Sequence, residues 1–369
     1  MKIIFLTKRR YMNKDLVEDR YGRYFQIPKI LSEKGNEVSI ICLDYHSHRY
    51  QKPELIKDGS LSIISLTTGK GLRWLGVLRY IFFIKKYLIE FNPDILVGAS
   101  DAIQIIISAY LSKYAKVKLV VDLYDNYEAY PLTHYPFIKR SYKAALKRAD
   151  GIIVITPELG KYINQIKPGG KIKIIGNAID SDFCTKLTKS EARKKLKLPE
   201  NGILIGTAGD LTREKGTDSL IKAFTEISQE SENCYLILAG KADKNLIYEP
   251  GDKIRYLGKI SHNTVPILFR ALDVGVVSNL NDDFGKYCHP QKAVEMIASR
   301  LPFVAAKTGY LSRKLKNSPE LLFIPGDYRS LKDAILFQMK NMQITSIPVK
   351  SWTQLTESLD RFFYTVMKD

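Results

Sequence analysis

The segment 206–216, which reads GTAGDLTREKG, combines small residues with cations between an apolar run and a helical pattern. Small residues such as Gly209 let a ligand approach the backbone, and the N-terminus of a helix offers N–H groups to an anion. Arg213 and Lys215 add positive charge. Together these features favour a diphosphate ligand. Taken alone, the segment is equally typical of a tight strand-to-helix turn with solvated charges.

The segment 289–302, which reads HPQKAVEMIASRLP, predicts a second ligand-binding element. Pro290 is typical of the first turn of a helix. Glu295 lies about a turn and a half further on between apolar neighbours, so its carboxylate is expected to face a crevice, because burial without a partner is costly. An ionised carboxylate can accept both hydroxyls of a ribose. The alternative is an exposed Glu295 paired with Lys292 at i,i+3 spacing.

The elements that must position these residues are short β-branched runs alternating with helical patterns, as in parallel sheets covered on both faces. The predicted strands are 2–6, 38–43, 62–66, 95–98, 118–122, 151–155 and 171–175, and then 203–208, 234–239, 254–256, 274–278, 303–305 and 322–324. The predicted helices are 25–34, 77–91, 103–114, 137–148, 217–228, 263–271, 290–299 and 328–340.

Two such series predict an α/β protein with two Rossmann-like, doubly wound domains and a ligand in the cleft between them. A βα barrel would use only eight of about thirteen candidate strands. We place the N-terminal domain at 1–184, with a polar, basic boundary near 186–199, and the C-terminal domain at 185–350. A last helix at 351–369 carries an apolar face and is expected to pack on the N-terminal domain.

Several function classes lack their sequence signatures. The four cysteines are scattered and form no Cys-x-x-Cys pair, which favours free buried thiols in a reducing compartment over a zinc site. The first apolar run stops after four residues, too short for a signal core, and no run is long enough to span a membrane. We therefore expect a cytoplasmic protein. The P-loop and dinucleotide fingerprints are also missing.

Six segments in order resemble the retaining glycosyltransferases of family 4, the group 1 glycosyl transferases, which have the GT-B fold. The matching segments are 30–38, 149–156, 175–183, 214–216, 257–274 and 290–302, the last of which is similar to the family's Pro-x-Lys-x-x-Glu helix. The resemblance covers most of the chain and implies transfer of a sugar from a UDP- or GDP-linked donor.

By this resemblance Lys215 would hold the donor diphosphate, Glu295 the ribose, and Lys292 with the helix start at Pro290 would neutralise phosphate. Gly309 would lie near the sugar nucleotide. Asp210 stands where the family often has Arg, so Arg213 is a candidate substitute. Tyr287 replaces the first Glu of a Glu-x7-Glu pair, and His289 is expected either to contact phosphate or sugar or to cap and pack.

In the first domain, Tyr124 and Asp125 follow a strand at the place where the family has His-Asp or His-Glu. Tyr is a poor base near pH 7, so we expect these two residues to orient sugar hydroxyls. The implied route has the departing diphosphate take the acceptor proton, with no metal or other cofactor. Gly22 is the glycine available in the loop after the first strand, where the family approaches phosphate; a solvated loop is the alternative.

The net charge of +18 is unevenly spread: residues 1–180 carry 29 basic and 17 acidic side chains, and residues 181–369 carry 28 and 22. Two segments, 70–87 and 135–148, interleave cations with large apolar residues and suit helices lying on an anionic bilayer. Ordinary core-packing helices explain them equally well. The candidate contacts for the membrane or acceptor are Arg73, Trp74, Arg79, Lys85, Lys86, Lys139, Arg140 and Lys143.

The favoured interpretation is a peripheral glycosyltransferase at the inner face of the cytoplasmic membrane, acting on a lipid-linked or polysaccharide acceptor. Three rivals stay open. A GT-B sugar-nucleotide epimerase would act without an acceptor, and a degenerate binding module would not turn over. A nucleic-acid partner would explain the charge, but no nucleic-acid motif supports it.

Overall fold

The computed structural model describes residues 1–12, 14–46, 53–69, 73–180, 183–243, 253–283 and 285–368, without the side chain of Arg73. It divides into two compact units, Met1–Gly176 with Trp352–Asp369, and Asn177–Ser351. The observed boundary lies eight residues before the 184/185 boundary expected from the sequence. The reason is that Asn177 and Ala178 already hydrogen-bond to the second unit, through His289 and Gln291 respectively.

The first unit begins with ten strands and five helices in the described residues. The strands are β1 (Lys2–Lys8), β2 (Arg10–Tyr11), β3 (Lys14–Asp15), β4 (Glu37–Asp44), β5 (Glu54–Asp58), β6 (Leu61–Thr67), β7 (Ile95–Ala99), β8 (Lys118–Leu123), β9 (Gly151–Val154) and β10 (Ile172–Ile174). The helices are α1 (Arg23–Glu33), α2 (Arg73–Phe91), α3 (Ala102–Ala115), α4 (Pro136–Arg148) and α5 (Pro157–Ile166).

The sheet of this unit has the order β10-β9-β8-β7-β1-β4-β6-β5. Its strands are parallel except for the edge strand β5, which pairs antiparallel with β6. In the central strand, Leu6 lies opposite Ile41 on one side and Gly98 on the other. The edge strand β5 escaped the sequence analysis because it is mostly exposed rather than an apolar run, and the β2–β3 ribbon because each of its strands has only two residues.

In its described residues, the second unit contains six strands and six helices. The strands are β11 (Ile203–Ala208), β12 (Cys234–Ala239), β13 (Ile254–Tyr256), β14 (Val274–Val277), β15 (Phe303–Ala306) and β16 (Leu322–Phe323). The helices are α6 (Lys189–Lys195), α7 (Thr217–Glu230), α8 (Val265–Ala271), α9 (Gln291–Ala298), α10 (Gly309–Lys314) and α11 (Tyr328–Asn341).

Strand order β13-β12-β11-β14-β15-β16, with parallel pairing throughout, makes this second unit doubly wound. Apolar clusters line both faces of the sheet. Two separate sheets exclude the single barrel.

The polar segment expected to mark a boundary contains α6, which starts with a capping box between Thr188 and Glu191. A basic composition hid this helix, because its buried residues are only Ala192 and Arg193.

The chain returns to the first unit as α12 (Trp352–Met367). Its apolar face is buried, and Phe362 and Val366 lie so close to Gly151 that a side chain there would overlap them. The Nζ of Lys34, the C-cap residue of α1, lies 3.4 Å from Oε1 of Glu357 on α12. Within the described residues, the helices are each too short or too polar to cross a bilayer.

Candidate functional site

The second unit has a topological switch point between β11 and β14, where the strand order reverses direction. Open α/β sheets bind ligands outside the carboxyl ends of their strands at such a point. Gly209 directly follows β11, and Ser278 directly follows β14. The glycine-rich segment of the sequence therefore begins at the place where this topology favours a ligand.

The turn 209–216 is fixed by backbone contacts to the end of β14. Gly216 has φ +70°, and a side chain there would overlap the carbonyl oxygen of Ser278. The Ser278 hydroxyl donates to the Lys215 carbonyl oxygen at 2.7 Å. Lys215 is therefore presented from a fixed backbone with a half-buried side chain. Arg213 is 74% exposed and its Nε lies 2.8 Å from Asp218 Oδ2.

Lys292 in the first turn of α9 reaches the same edge of the sheet. Its Nζ lies 3.4 Å from Thr207 Oγ1, and a Cβ on Gly209 would lie 3.8 Å from that Nζ. Burial lowers the pKa of Lys292 to about 8, and the charge of Lys215 acts in the same direction against the attraction of Asp210 and Glu295. Two mutually repelling ammonium groups beside a bare glycine backbone favour an anionic ligand.

Glu295 lies one turn beyond Lys292 and is 6% exposed, so it is not the exposed residue of the alternative interpretation. Its Oε1 accepts a hydrogen bond from Gln291 Nε2 at 3.1 Å, and the same Nε2 donates to the carbonyl oxygen of Ala178 at 3.0 Å. The carboxylate is thus held in one orientation by a residue that is itself anchored.

The remaining candidates of the second unit surround the start of α9. His289 Nδ1 accepts from the Asn177 N–H at 3.3 Å, which leaves the ring proton on Nε2 in the neutral form. Its ring lies 4.0 Å from that of Tyr310, centroid to centroid. Tyr287 is half-buried beside the Lys286 ammonium. Pro290 caps α9, and Gly309 starts α10 at a point where a side chain would overlap the Lys286 carbonyl oxygen.

The first-unit candidates share one tyrosine-lined edge of the sheet. Asp125 is buried; its Oδ1 accepts from the Asn126 N–H and its Oδ2 accepts from the Tyr130 hydroxyl, each at 2.8 Å. The ring of Tyr124 packs 6.0 Å from that of Tyr11. Gly22 has φ +73°, and a side chain there would overlap the Tyr11 hydroxyl. Gly22, Tyr124 and Asp125 are therefore linked through neighbouring side chains.

The two basic helices expose aromatic side chains. Trp74 and Phe82 on α2 are 57% and 66% exposed, and Phe137 on α4 is 77% exposed. The opposite face of α2 is buried through Tyr80, Ile84 and Leu88. The core-packing interpretation therefore describes this buried face, and the membrane interpretation concerns the exposed one. Exposed apolar residues on α2 also include Leu75, Leu78 and Ile89.

The cations of these helices differ in their contacts. Lys85 Nζ donates to the Tyr110 hydroxyl at 2.7 Å, and Lys86 is exposed with Glu90 at 3.7 Å. Lys139 and Lys143 each lie 3.5 Å from Glu128 Oε2. Arg79 and Arg140 are exposed, while the side chain of Arg73 and residues 70–72 lie outside the described part.

Sequence reasoning missed Ser278, Gln291 and Asn177, which position the named candidates. Gln291 could have been found from its i,i+4 spacing to Glu295 on one helix face. The contacts of Ser278 and Asn177 join segments far apart in the chain, so no local pattern indicates them. Among the described residues, no group of three or more His, Cys, Asp or Glu side chains could hold a metal ion.

Comparison with known families places both units in one class, that of glycosyltransferases. Residues 29–183 match the family model Glycosyltransferase Family 4, and residues 188–346 match Glycosyl transferases group 1. The two matches together span most of the chain, which belongs to the family 4, group 1 glycosyltransferases.

Curated relatives agree with this membership. An uncharacterized glycosyltransferase of Methanocaldococcus jannaschii is 28% identical over 179 residues, 45% of this chain and 44% of that protein. A putative teichuronic acid biosynthesis glycosyltransferase of Bacillus subtilis is 24% identical over 233 residues, 62% of this chain and 57% of that protein. The matched part spans 44%, 24% and 61% of three of the curated relatives, so it is shorter than two thirds of each.

Solved structures share the fold over the whole chain. Sucrose-phosphate synthase from Thermosynechococcus elongatus has a TM-score of 0.73 at 17% identity, covering 100% of this chain and 97% of that one. Anabaena HepE in complex with UDP has a TM-score of 0.68 at 18% identity, covering 100% and 98%. These likenesses confirm the expected GT-B fold.

Proposed function

We propose that this protein is a retaining glycosyltransferase that moves a sugar from a nucleoside-diphosphate sugar to a lipid-linked or polysaccharide acceptor. One observation carries the proposal: Gly209, Lys215, Lys292 and Glu295 meet at the switch point of the second unit. The relatives named for teichuronic acid and lipopolysaccharide core biosynthesis support a glycan product. The similar fold that holds UDP and UDP-glucose in HepE supports the donor class.

In this proposal the donor diphosphate lies against the bare backbone of Gly209 and between the ammonium groups of Lys215 and Lys292. Glu295, oriented by Gln291, accepts the ribose hydroxyls. Arg213 reaches the same diphosphate only after leaving Asp218, which makes it the weaker contact. His289, Tyr287 and Gly309 shape the wall beside the transferred sugar.

Breaking the bond between the sugar and the diphosphate leaves negative charge on the departing phosphate oxygen. Lys215 and Lys292 stabilise this charge more strongly in the transition state than in the bound donor, which is the requirement for catalysis. The departing oxygen then takes the proton of the acceptor hydroxyl, which attacks the same face and retains configuration. Tyr124 and Asp125 orient the sugar hydroxyls.

The donor assignment is tested by Lys215→Ala, with Lys222→Ala on the outer face of α7 as the matched control. Loss of one charge-stabilising donor predicts a roughly 100-fold lower kcat, measured as nucleotide release from UDP- and GDP-sugars with a glycan acceptor. Lys222→Ala should match the wild type. Equal activity of Lys215→Ala and the wild type would refute the assignment.

A binding measurement separates the ribose role of Glu295 from a structural one. Glu295→Gln keeps the size of the side chain, so we expect an unchanged melting temperature and roughly tenfold weaker binding of UDP, as expected for a lost charge-assisted hydrogen bond. Binding of inorganic diphosphate, which has no ribose, should not change. Equal weakening for both ligands would contradict a ribose contact. Glu232→Gln, on the surface, serves as control.

The membrane part of the proposal places the exposed face of α2 against an anionic bilayer. Aromatic and aliphatic side chains enter the interface while nearby cations attract anionic headgroups. Trp74→Ser with Phe82→Ser should reduce binding to phosphatidylglycerol vesicles in a sedimentation assay, and Tyr364→Ser, exposed on α12, should not. Equal binding to neutral vesicles, or no loss in the double variant, would remove the membrane contact.

A further inference from the structure

The first unit has its own switch point, between β1 and β7. Lys8 ends β1, and its N–H donates to the Ser100 hydroxyl at 2.7 Å. Ser100 follows β7 and has φ +77°, although it is not glycine. Backbone strain of this kind is concentrated at ligand sites. The next residue, Asp101, caps α3, so the reversal of strand order brings Lys8 and Asp101 to one edge.

The Lys8 side chain is half-buried and lies among groups of opposite charge. Its Nζ is 5.9 Å from the centre of the Tyr130 ring, and the carboxylates of Asp101 and Asp125 attract its charge. Burial nevertheless lowers the pKa of Lys8, because these attractions do not offset the lost hydration. Within the described residues this ammonium makes no hydrogen bond and no ion pair, so its donors are available to a ligand.

Both carboxylates are held in place by other residues. Asp101 Oδ1 accepts from the Gln104 N–H at 2.8 Å, and the Gln104 side chain is fixed between the hydroxyls of Tyr45 and Tyr80, each 2.9 Å away. Asp125 Oδ2 accepts from the Tyr130 hydroxyl at 2.8 Å. The Lys8 cluster, defined as Lys8, Asp101, Asp125 and Tyr130, therefore has a preset geometry.

The chemistry of the cluster restricts its ligand. An ammonium group only donates hydrogen bonds and carboxylates only accept them, whereas a hydroxyl does both. Two carboxylates against one ammonium leave a net negative charge, which repels a phosphate or a uronate carboxylate. The ring of Tyr130 adds an apolar surface suited to the C–H face of a sugar.

We propose that the Lys8 cluster binds the uncharged, hydroxyl-rich ring of the acceptor and selects it over acidic sugars. The inference rests on the proposed glycosyltransferase function and names the acceptor class. It also makes Lys8 a specificity-determining residue.

Binding of free methyl glycosides tests this inference without turnover. At least one of methyl glucoside, methyl galactoside and methyl mannoside should bind and perturb the NMR signals of the first unit. Methyl glucuronide should bind at least tenfold more weakly than that neutral glycoside. Lys8→Met should weaken the neutral ligand at least tenfold, whereas Lys57→Met on the exposed edge strand β5 should not. Failure of all three neutral glycosides to bind, or equal binding of the glucuronide, would overturn the proposal.

A second variant separates charge from folding. Asp101→Asn keeps a good helix cap and removes one negative charge, so the melting temperature should stay near that of the wild type. The preference for neutral over acidic glycoside should shrink several-fold in this variant, and an unchanged preference would count against the cluster. If the wild type binds neutral glycosides but releases no nucleotide from any sugar donor, the proposed transferase function fails while the acceptor site stands.

Discussion

The two switch points of this protein have the same topology and opposite chemistry. In the second unit, Lys215 and Lys292 stand beside the bare backbone of Gly209. In the first unit, carboxylates and tyrosines surround Lys8. Parallel strand order decides where a ligand binds, since both sheets open a crevice at the same kind of edge. We expect the side chains at the strand ends to decide whether that ligand is an anion, as proposed for the second unit, or a polyol, as proposed for the first.

The units also differ in where they place a buried arginine–aspartate pair. Arg23 Nη2 lies 3.0 Å from Asp122 Oδ1 at the carboxyl end of β8, on the ligand side of the first sheet. Arg193 Nη2 lies 2.6 Å from Asp273 Oδ2, just before β14 and thus on the side away from the ligand. The first pair is expected to support the site, and the second to support the fold alone.

Replacing these arginines has the largest expected effect and tests whether the two buried pairs differ in their roles. Arg23→Met leaves Asp122 buried without its partner, a loss of about 3–5 kcal/mol in the free energy of unfolding. Arg193→Met leaves Asp273 with Lys189 at 2.6 Å and the Leu204 N–H at 2.7 Å. It also removes the hydrogen bonds of Arg193 to the carbonyl oxygens of Ala271, Glu200 and Gly202, so we expect a loss of similar size. Calorimetric melting measures both variants.

A double variant provides the control for the first pair. Arg23→Met with Asp122→Leu removes both charges and should recover much of the stability lost in Arg23→Met. Acceptor binding should stay impaired in the double variant, because the pair lies beside the tyrosine-lined edge. Arg193→Met should bind both substrates normally below its melting temperature. Normal acceptor binding in the Arg23 double variant would show that this pair, too, serves only the fold.

A smaller effect comes from two glycines that precede a helix, Gly22 before α1 in the first unit and Gly216 before α7 in the second. Gly216 is left-handed helical at φ +70° and ψ +23°, where alanine costs about 1–2 kcal/mol. Gly22 has φ +73° and ψ −170°, a region nearly confined to glycine, where the strain costs about 1–3 kcal/mol. At Gly216 the new methyl meets the Ser278 backbone, and at Gly22 it meets the buried Tyr11 hydroxyl, which donates to the Tyr21 carbonyl oxygen at 2.6 Å. Both variants should therefore lower the melting temperature.

Tyr11→Phe sharpens this test. Removing the hydroxyl relieves the overlap in Gly22→Ala and should restore part of its stability, although the strain of the positive φ stays. The contact explanation is wrong if Tyr11→Phe and Gly22→Ala are simply additive.

The smallest expected effect is the pH dependence of UDP binding in the second unit. Lys292 has a pKa of about 8, so its positive charge is present below pH 8 and is lost as the pH rises through that value. Calorimetric titration between pH 7 and 9.5 should show a several-fold fall in UDP affinity. Lys215→Ala should move the midpoint upward, since it removes a repelling charge, and Lys292→Met should abolish the fall. A fall that persists in Lys292→Met would assign it to another group.

The sequence by itself predicted most of the buried parallel strands, because apolar runs bounded by turns are local signals. β11, β12 and β13 were placed at their observed bounds. It did not predict α5, α6 or α10, the β2–β3 ribbon or the edge strand β5 of the first unit, whose residues are polar or whose runs are short. It also placed the unit boundary too late, because hydrogen bonds from Asn177 and Ala178 to α9 and its cap leave no local mark.

The candidate donor residues were recognisable from residue type and spacing, since Lys215, Lys292 and Glu295 each lie within a motif. Only the tertiary structure decided their state: the half-buried Lys292 beside Lys215, the Glu295 carboxylate held by Gln291, and Arg213 bound to Asp218. The Lys8 cluster belongs wholly to the tertiary structure. Its residues come from three strand ends that are distant in sequence, and parallel pairing alone brings them to one edge of the sheet.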